Sequence, residues 1–308
     1  MDLRQLRYFL VVANQQHFGR AASVLHVAQP ALTRQVQLLE EELGVQLFVR
    51  HARGATPTDE GLFLLERASF LLRYAEQMKQ DMTARQRSPR GPVAIGMSPG
   101  LALLLAVSLT RVVQQRLPEV RLRIVEGFAP QLHTMVLQGG VDLAVLNGPV
   151  QVSNLVMFPL LTEDLCLIAR SDDKRVKGPK VKLKQLSGLP LVMTGLAKSG
   201  VRLELEAAAG RAGIELHQVV EVETIEVAKR LVREGVGVTV HFAATVKEDV
   251  EAGRLVAHPI DGLHLRRILA RASDRPPSRA TGELVGIVRA VVEEAVHCGQ
   301  WPNATLDG

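Results

Sequence analysis

Cysteine is scarce in this sequence of 308 residues, which contains only Cys166 and Cys298. The two lie far apart and outside any spacing typical of metal ligands, so we expect reduced thiols rather than a disulfide framework or a zinc site. Long apolar runs are also missing, because the longest, residues 101–109, is far shorter than the roughly 18 residues of a membrane span. Charges interrupt the N-terminal segment MDLRQLRYFLVV, which argues against a signal peptide. These absences predict a cytoplasmic protein that does not contact a membrane.

The composition is that of an ordered protein with an excess of basic residues. Hydrophobic residues make up 47% and charged residues 22% of the chain, which is typical of a folded, soluble protein. The length allows about two domains. A net charge of +5 permits an anionic partner such as DNA, although many basic proteins bind no nucleic acid.

Apolar residues recur at helical spacing in three segments before residue 44. Two helices are predicted over residues 3–13 and 18–25. The third starts at Pro30, which suits the first turn of a helix, and ends before Gly44, which suits a C-cap. The small residues Ala21 and Ala22 let two helices cross closely, so the pattern indicates a helix-turn-helix. A plain three-helix core fits the same periodicity.

A short hairpin is predicted after Gly44. Apolar residues alternate at Val45, Leu47 and Val49 as in a strand, and the chain turns at Gly54 and returns toward Pro57. Such a wing can neutralise DNA phosphates beside a helix-turn-helix, whereas the simpler alternative is a solvated hairpin. Three side chains make its tip cationic: Arg50, His51 and Arg53.

A long helix follows, for which Thr58 is the expected N-cap and Asp59 and Glu60 suit the first turn. Its apolar residues follow a heptad pattern, which we call the heptad seam: Leu64, Ala68, Leu71, Ala75, Met78 and Met82. The preceding domain is already self-sufficient and residues 83–92 form a polar hinge. The seam therefore has no obvious partner in its own chain and predicts dimerisation.

Five short motifs follow one another in the first 61 residues: A-A-x-x-L, Q-P-A-L, L-E-x-E-L-G, L-F-x-R and T-x-x-G. In this combination, residues 1 to about 92 resemble the DNA-binding half of a LysR-type transcriptional regulator. The resemblance extends over the whole chain and implies a winged helix-turn-helix, a linker helix that dimerises, and an effector domain of the periplasmic-binding-protein type. One departure is Ala28, where the family commonly has Ser or Thr. Alanine can neither cap the third helix nor donate a hydroxyl to a phosphate.

The fold class is α/β, because strands and helices alternate from Pro92 onward with parallel pairing. Two lobes are predicted, with a ligand cleft between them. The first comprises about 93–164 and 266–300, completed by a helix from about Gly282 to Val296, and the second comprises about 165–265. The predicted domains are 1–58 (winged helix-turn-helix), 59–92 (linker helix and hinge), 93–300 (effector domain) and 301–308 (a polar tail that we expect to fray).

The stretch GMSPG, residues 96–100, matches the G-x-S-x-G pattern of a serine hydrolase. The residue after the serine is Pro99, which lacks the N–H group that an oxyanion hole needs. Ser98 at a strand-to-helix turn is better explained as part of an anion site, and simple capping of its helix is the alternative. A solute-binding protein would share the two lobes but not the DNA-binding module. We therefore expect a transcriptional regulator rather than an enzyme, with no catalytic residue, metal or cofactor other than a small-molecule effector.

These interpretations predict three sets of site residues. The DNA-binding candidates are Arg20, Gln29, Pro30, Thr33, Arg34, Gln37, Arg50, His51 and Arg53. By resemblance, the effector-binding candidates are Ser98, Pro99, Gly100, Phe128, Thr194, Gly195, Ser199, Thr224 and His241. Lys198 and Arg202 are additional candidates for contacting the effector. The heptad seam supplies the dimerisation residues.

The expected partners are double-stranded DNA, a small and preferably anionic effector, and a second copy of the chain. The family resemblance further implies a tetramer, and RNA polymerase is an expected partner if the protein is an activator.

Overall fold

The computed structural model describes residues 1–51, 54–83, 88–148, 154–176, 178–195 and 200–307. It divides into two compact units, one spanning Met1–Arg87 and the other holding Ser88–Leu137 and Val141–Gly308. Within the described ranges, no helix is both long enough and apolar enough to cross a membrane.

Three helices and a hairpin form the first part of unit 1. The third helix has Pro30 in its first turn and ends at Gly44 in a left-handed conformation (φ 70°), which confirms both predictions. Phe48 packs on Phe9 and Phe18 with ring centroids 5.3 and 5.7 Å apart, so one aromatic cluster joins the hairpin to the helices. The elements are α1 (Leu3–Gln15), α2 (Phe18–Leu25), α3 (Gln29–Leu43), β1 (Phe48–His51) and β2 (Gly54–Pro57).

The hairpin differs from the predicted alternation of Val45, Leu47 and Val49. The strand begins only at Phe48, and Val45 and Val49 are exposed while Leu47 and Phe48 are buried. Phe48 packs into the aromatic core. This packing fixes which side chains of the strand point inward and which point to solvent. Gly54 (φ 145°) is required on the second strand, because a Cβ there would lie 2.2 Å from the carbonyl oxygen of Gln16.

The long helix α4 spans Asp59–Thr83. Thr58 caps it as predicted, since its Oγ1 accepts a hydrogen bond from Gly61 N (3.0 Å) and donates one to Gln46 O (2.7 Å). The prediction that the heptad seam has no partner within the chain is wrong for its first turns. Ala68 is fully buried in the core of unit 1, and Leu64 packs against the same core.

A seven-stranded sheet organises unit 2, with β3 pairing in parallel with β4 and β5. A separate parallel pair, β7 and β8, belongs to the second lobe. The strands are β3 (Gly91–Met97), β4 (Val120–Glu126), β5 (Leu143–Asn147), β6 (Leu155–Arg170), β7 (Leu191–Thr194), β8 (Gln218–Val222), β9 (Thr239–Phe242), β10 (Leu255–Ala272) and β11 (Ala304–Leu306).

Helices cover the sheets of both lobes. One apolar core joins α5 and α10 to the main sheet of lobe 1, so the C-terminal helix completes that lobe as predicted. The second lobe has its own apolar core beneath α7 and the strand pair. The helices are α5 (Pro99–Arg116), α6 (Ala129–Gln138), α7 (Gly200–Ala212), α8 (Ile225–Arg233), α9 (Lys247–Glu251) and α10 (Arg279–His297).

Two long antiparallel strands, β6 and β10, run through both lobes. The sequence pattern predicts only their ends, residues 165–169 and 264–273. Pro159 and the polar residues 162–164 interrupt the apolar pattern of β6, and Pro259 interrupts that of β10. Pairing between the two strands maintains them through these interruptions, with register irregularities after Pro259 and Arg267.

The expectation that the tail frays is wrong. Trp301 is only 2% exposed, and β11 pairs antiparallel with β6. Asn303 Nδ2 also donates to the sulfur of Cys166 at 3.6 Å. The short tail is polar in the sequence, but its strand forms one edge of the sheet, next to β6. It also contains Trp301, the only tryptophan of the chain, which is buried.

Candidate functional site

One exposed face of α3 carries the predicted base-reading residues. Gln29, Pro30, Arg34 and Gln37 are exposed and Thr33 is half-buried, as their helical spacing requires. Leu32, Val36 and Leu39 of the same helix are buried in the core of unit 1. The face therefore has the geometry of a groove-reading helix, and its individual contacts with DNA stay predictions.

The remaining DNA-binding candidates lie on α2 and on the hairpin. Arg20 is exposed and donates from Nη2 to the carbonyl oxygen of Gln15 (2.9 Å). The guanidinium of Arg50 lies 4.8 Å from the ring centre of Phe18, and His51 is exposed on β1. Arg53 lies outside the described residues.

The hairpin is attached to α3 by a carboxylate that sequence analysis missed. Glu40 is 4% exposed, and its Oε1 accepts hydrogen bonds from the backbone N–H groups of Leu47 (2.8 Å) and Phe48 (3.3 Å). At the other end of α3, Ala28 is the N-cap and makes no side-chain capping bond, as its chemistry predicts. Glu40 thus fixes the start of the hairpin relative to the groove-reading face.

The outer surface of α4 carries exposed apolar side chains. Leu71 is 39% and Met78 49% exposed, and Ala75 is half-buried. Phe70 and Tyr74 stack with their ring centroids 5.8 Å apart. The side chain of Met82 lies outside the described set. The heptad seam is therefore available to another chain from Leu71 onward, after the two residues that pack on the core of unit 1.

A cavity of about 70 Å³ lies between the two lobes of unit 2, with room for roughly five water molecules. The structure brings eight of the nine effector-binding candidates to its wall, and the ninth, Ser199, lies outside the described residues. The eight are Ser98, Pro99, Gly100, Phe128, Thr194, Gly195, Thr224 and His241. Their role in effector binding stays a prediction.

Four helices begin at this interlobe cavity, α5 and α6 from lobe 1 and α7 and α8 from lobe 2. Helix N-termini carry partial positive charge because their first N–H groups have no partner within the helix. Ser98 and Thr224 are the N-cap residues of α5 and α8, yet neither side chain makes a capping hydrogen bond. Capping therefore does not account for the hydroxyl of Ser98, and both hydroxyls stay available to a ligand.

A buried arginine that sequence analysis missed also lines the cavity. Arg267 is 5% exposed, forms an ion pair through Nε with Glu163, and donates from Nη1 to Asn147 Oδ1 at 2.6 Å. Its guanidinium lies 4.3 Å from the ring centre of Phe242. The second oxygen of Glu163 accepts from Trp301 Nε1 at 2.8 Å, so the tail supports this ion pair.

A signal for this arginine exists in the sequence. Leu263, Leu265 and Arg267 alternate with exposed residues along β10, and a strand points alternate side chains to one face. A charged residue at an inward position is a candidate for a buried site. The partner Glu163 is more than 100 residues away in the chain, and no local pattern connects the two.

The charges around the cavity differ in how far they are neutralised. Burial, followed by the positive charges of Arg267 and Lys229, lowers the pKa of His241 to about 3, so its ring is neutral near pH 7. Arg202 is paired with two carboxylates, Glu206 (2.8 Å) and Glu221 (2.5 Å), and has little charge left for a ligand. Lys198 lies outside the described residues.

The chemistry of a hydrolase is poorly matched by these residues. Pro99 follows Ser98 directly at the start of α5, so the expected oxyanion donor is missing. Nδ1 of His241 faces the hydroxyl of Thr245 (3.0 Å) and not a carboxylate, which is what orients a catalytic histidine. Burial also raises the pKa of the Cys166 thiol to about 12, so the reactive thiolate is rare at neutral pH.

Comparison with protein families gives two matches that follow the two units. Residues 3–62 match the model described as a bacterial regulatory helix-turn-helix protein of the lysR family. Residues 86–293 match the model of the LysR substrate binding domain. Together they cover α3, the β1–β2 hairpin and the interlobe cavity.

Individual relatives extend over nearly the whole chain. The HTH-type transcriptional regulator BbuR of Bordetella bronchiseptica is 30% identical over 306 residues, covering 98% of this chain and 94% of BbuR. The fold is similar to full-length OxyR from Pseudomonas aeruginosa (TM-score 0.74, 23% identity, 100% and 99% of the two chains). It is also similar to full-length CbnR in complex with its target DNA (TM-score 0.68, 23% identity, 94% and 100%). The chain belongs to the LysR family of DNA-binding transcriptional regulators.

Proposed function

We propose that this regulator reads its operator with α3 and the β1–β2 hairpin, and that a small anion bound in the interlobe cavity controls its activity. The observation that carries the effector proposal is the convergence of four helix N-termini on one cavity between two lobes. Such termini favour negative charge, because their N–H groups and dipoles offset the loss of hydration of an anion. The protein acts on transcription and catalyses no reaction of its own.

The side chains of the cavity support an anion over a neutral or cationic ligand. Ser98 and Thr224 present hydroxyls that their helices do not use, and Thr194 adds a third. Arg267 supplies a positive group at the wall whose charge is shared with Glu163. Hydrogen bonds from such groups to an oxyanion are stronger than bonds between neutral partners.

DNA contacts are proposed on the exposed face of α3. Gln29 would pair with adenine, Thr33 would touch a thymine methyl group, and Arg34 would reach guanine or a phosphate. The cationic hairpin and Arg20 would bind the phosphate backbone, which positions the protein without reading sequence. CbnR, a similar fold, has been solved on its target DNA, which supports this use of the domain.

A second copy of the chain is proposed to cover the outer surface of α4. Leu71, Met78 and the Phe70–Tyr74 pair would otherwise expose apolar area to water. A dimer presents two reading helices to a site with twofold symmetry. By family resemblance we further propose tetramers, and a contact with RNA polymerase if the protein activates transcription.

The proposal is tested by a mobility-shift assay on the DNA upstream of the chain's own gene, with a panel of small organic and inorganic anions. We expect sequence-specific binding and a change of about 1 to 3 kcal/mol on addition of an effective anion. The same panel in a thermal-shift assay should stabilise the full-length protein. A response confined to neutral or cationic compounds would overturn the anion assignment while leaving DNA binding intact.

A further inference from the structure

The hydrogen bonds around Thr245 determine which nitrogen of His241 carries the proton. Thr245 Oγ1 donates its single hydrogen to the carbonyl oxygen of Phe242 at 2.7 Å. The same oxygen lies 3.0 Å from Nδ1 of His241. Because a hydroxyl has one hydrogen to donate, Nδ1 must be the donor in the second contact. A neutral imidazole protonated on Nδ1 has an unprotonated Nε2, which can only accept a hydrogen bond.

The free edge of the ring lies over the start of α5. A Cβ at Gly100 would lie 3.7 Å from Cε1 of His241, the atom between the two nitrogens, and 3.1 Å from Cγ2 of Thr245. The first distance is ordinary van der Waals contact, so the ring lies directly beside this turn, whereas the second is tight. Nε2 receives no hydrogen bond from any part of the chain that the structure describes, and His241 lines the interlobe cavity.

Nε2 differs from most polar groups of the cavity wall in its hydrogen-bonding role, because it can only accept. The hydroxyls of Ser98, Thr194 and Thr224 can rotate to donate or to accept, and the guanidinium of Arg267 can only donate. The fixed acceptor Glu223 is exposed to solvent, so water can satisfy it. Nε2 sits on a half-buried ring at the cavity wall, where a bound ligand would displace the water that pairs with it, and an acceptor that a ligand covers without donating to it costs free energy.

We infer that the effector carries a hydroxyl or N–H donor beside its anionic group, and that this donor binds Nε2 of His241. This inference rests on the proposed effector cavity. The anionic group would bind at the helix N-termini and the hydroxyls, and the donor would bind Nε2, an acceptor that cannot change its role. A plain carboxylate would instead leave Nε2 unpaired or oppose it with oxygen lone pairs. The ligand class is thus a small hydroxy acid or amino acid rather than a simple carboxylic acid.

Lactate and pyruvate provide a matched pair of probes, because they differ in having a hydroxyl donor or a carbonyl acceptor at the same position. Glycolate and acetate form a second pair. Calorimetric titration of the full-length protein should show the hydroxy acid of each pair binding about threefold to tenfold tighter, which is the usual contribution of one hydrogen bond. The His241→Leu variant should lose this preference, whereas His241→Gln, which keeps an acceptor, should retain part of it.

Thr245 is a positioning residue in this scheme, and its variants supply a readout besides affinity. In ¹⁵N-histidine spectra, the signal that disappears in His241→Gln identifies the ring, and its shifts should report a proton on Nδ1. Thr245→Val removes the hydroxyl that holds this tautomer, so the proton should redistribute and the preference for lactate over pyruvate should fall. The matched variant Thr245→Ser should restore both properties.

The outcomes separate this inference from the proposed function. If none of the four probes binds, the anion cavity itself is overturned and the inference falls with it. If the probes bind without a preference for the hydroxy acids, or if His241→Leu keeps the preference, only the role of His241 is overturned. Should His241→Leu fail to fold, as judged by circular dichroism, the Thr245→Val and Thr245→Ser pair decides the question.

Discussion

The hairpin junction of one unit and the interlobe cavity of the other differ in how fully their polar groups are hydrogen-bonded. In the DNA-binding unit, Glu40 is buried and its carboxylate accepts two backbone hydrogen bonds from the start of the hairpin. At the interlobe cavity of the other unit, Ser98 and Thr224 leave their helices uncapped, and Nε2 of His241 accepts nothing from the described chain. The first arrangement is complete without a ligand and holds a preformed reading surface. The second is satisfied only by water or by a bound molecule, which is what a ligand-controlled unit requires.

The largest expected effect comes from breaking the buried ion pair of the effector unit. Arg267→Met leaves the Glu163 carboxylate buried without its cation, so the free energy of unfolding should fall by about 3 to 5 kcal/mol, and anion binding should weaken. Urea denaturation measures the first effect. Arg266→Met is the matched control, because Arg266 is 61% exposed and pairs with Asp307 at the surface. Equal losses in both variants would show that burial of Arg267 does not matter.

The exposed face of α4 is the exception to the self-sufficiency of the first unit. Leu71→Asp would place a charge in the proposed dimer contact and should weaken association by at least about 2 kcal/mol, roughly thirtyfold. Analytical ultracentrifugation at micromolar concentration measures the change. Leu62→Asp is the control, since Leu62 is also exposed but lies off the heptad seam. A dimer that tolerates Leu71→Asp would place the contact elsewhere.

Glu40 tests whether the reading surface depends on its internal hydrogen bonds. Glu40→Ala leaves two backbone N–H groups without their acceptor and should reduce the free energy of unfolding by about 1 to 3 kcal/mol. Glu40→Gln retains an oxygen acceptor and should lose less. The neighbouring Glu41 is exposed, and Glu41→Ala should have little effect in the same denaturation series. An unchanged Glu40→Ala variant would contradict the assigned role.

Arg34 tests the groove-reading face itself. Arg34→Ala should weaken specific operator binding by about 1 to 3 kcal/mol and relax specificity at one base position. Fluorescence anisotropy with operator and scrambled DNA at fixed salt separates the two contributions. Arg211→Ala removes an exposed cation from the effector unit, where Arg211 pairs with Glu204, and should leave binding unchanged. Retained operator affinity in Arg34→Ala would remove α3 as the reading helix.

The smallest effect is expected from single hydroxyls in the cavity. Ser98→Ala and Thr194→Val should each weaken binding of an effective anion by about 1 kcal/mol, the contribution of one hydrogen bond. Thermal shift across a concentration series measures it, with Ser187→Ala, an exposed serine of lobe 2, as the control. Full ligand stabilisation in both cavity variants would place the anion in another site.

The sequence predicted elements whose pattern is local. The bounds of α8 (Ile225–Arg233) and β4 (Val120–Glu126) coincide with segments whose own apolar periodicity indicates a helix and a strand. The turn that begins α5 placed Ser98, Pro99 and Gly100 together, and family resemblance led to the other candidates on the cavity wall. Capping residues such as Pro30, Gly44 and Thr58 also act within a few positions of their own place in the chain.

Only the tertiary structure decided features that depend on residues far apart in the sequence. β6 and β10 continue through prolines and charges because each strand supplies hydrogen-bond partners to the other. Ala68 is buried because α1 packs on α4, which removes Leu64 and Ala68 from the predicted seam. The ion pair of Arg267 and Glu163 is supported by Trp301 from a tail that looks polar in isolation. Periodicity and capping depend only on residues within one segment. Burial and pairing of a charge depend on which distant residues the fold places beside it.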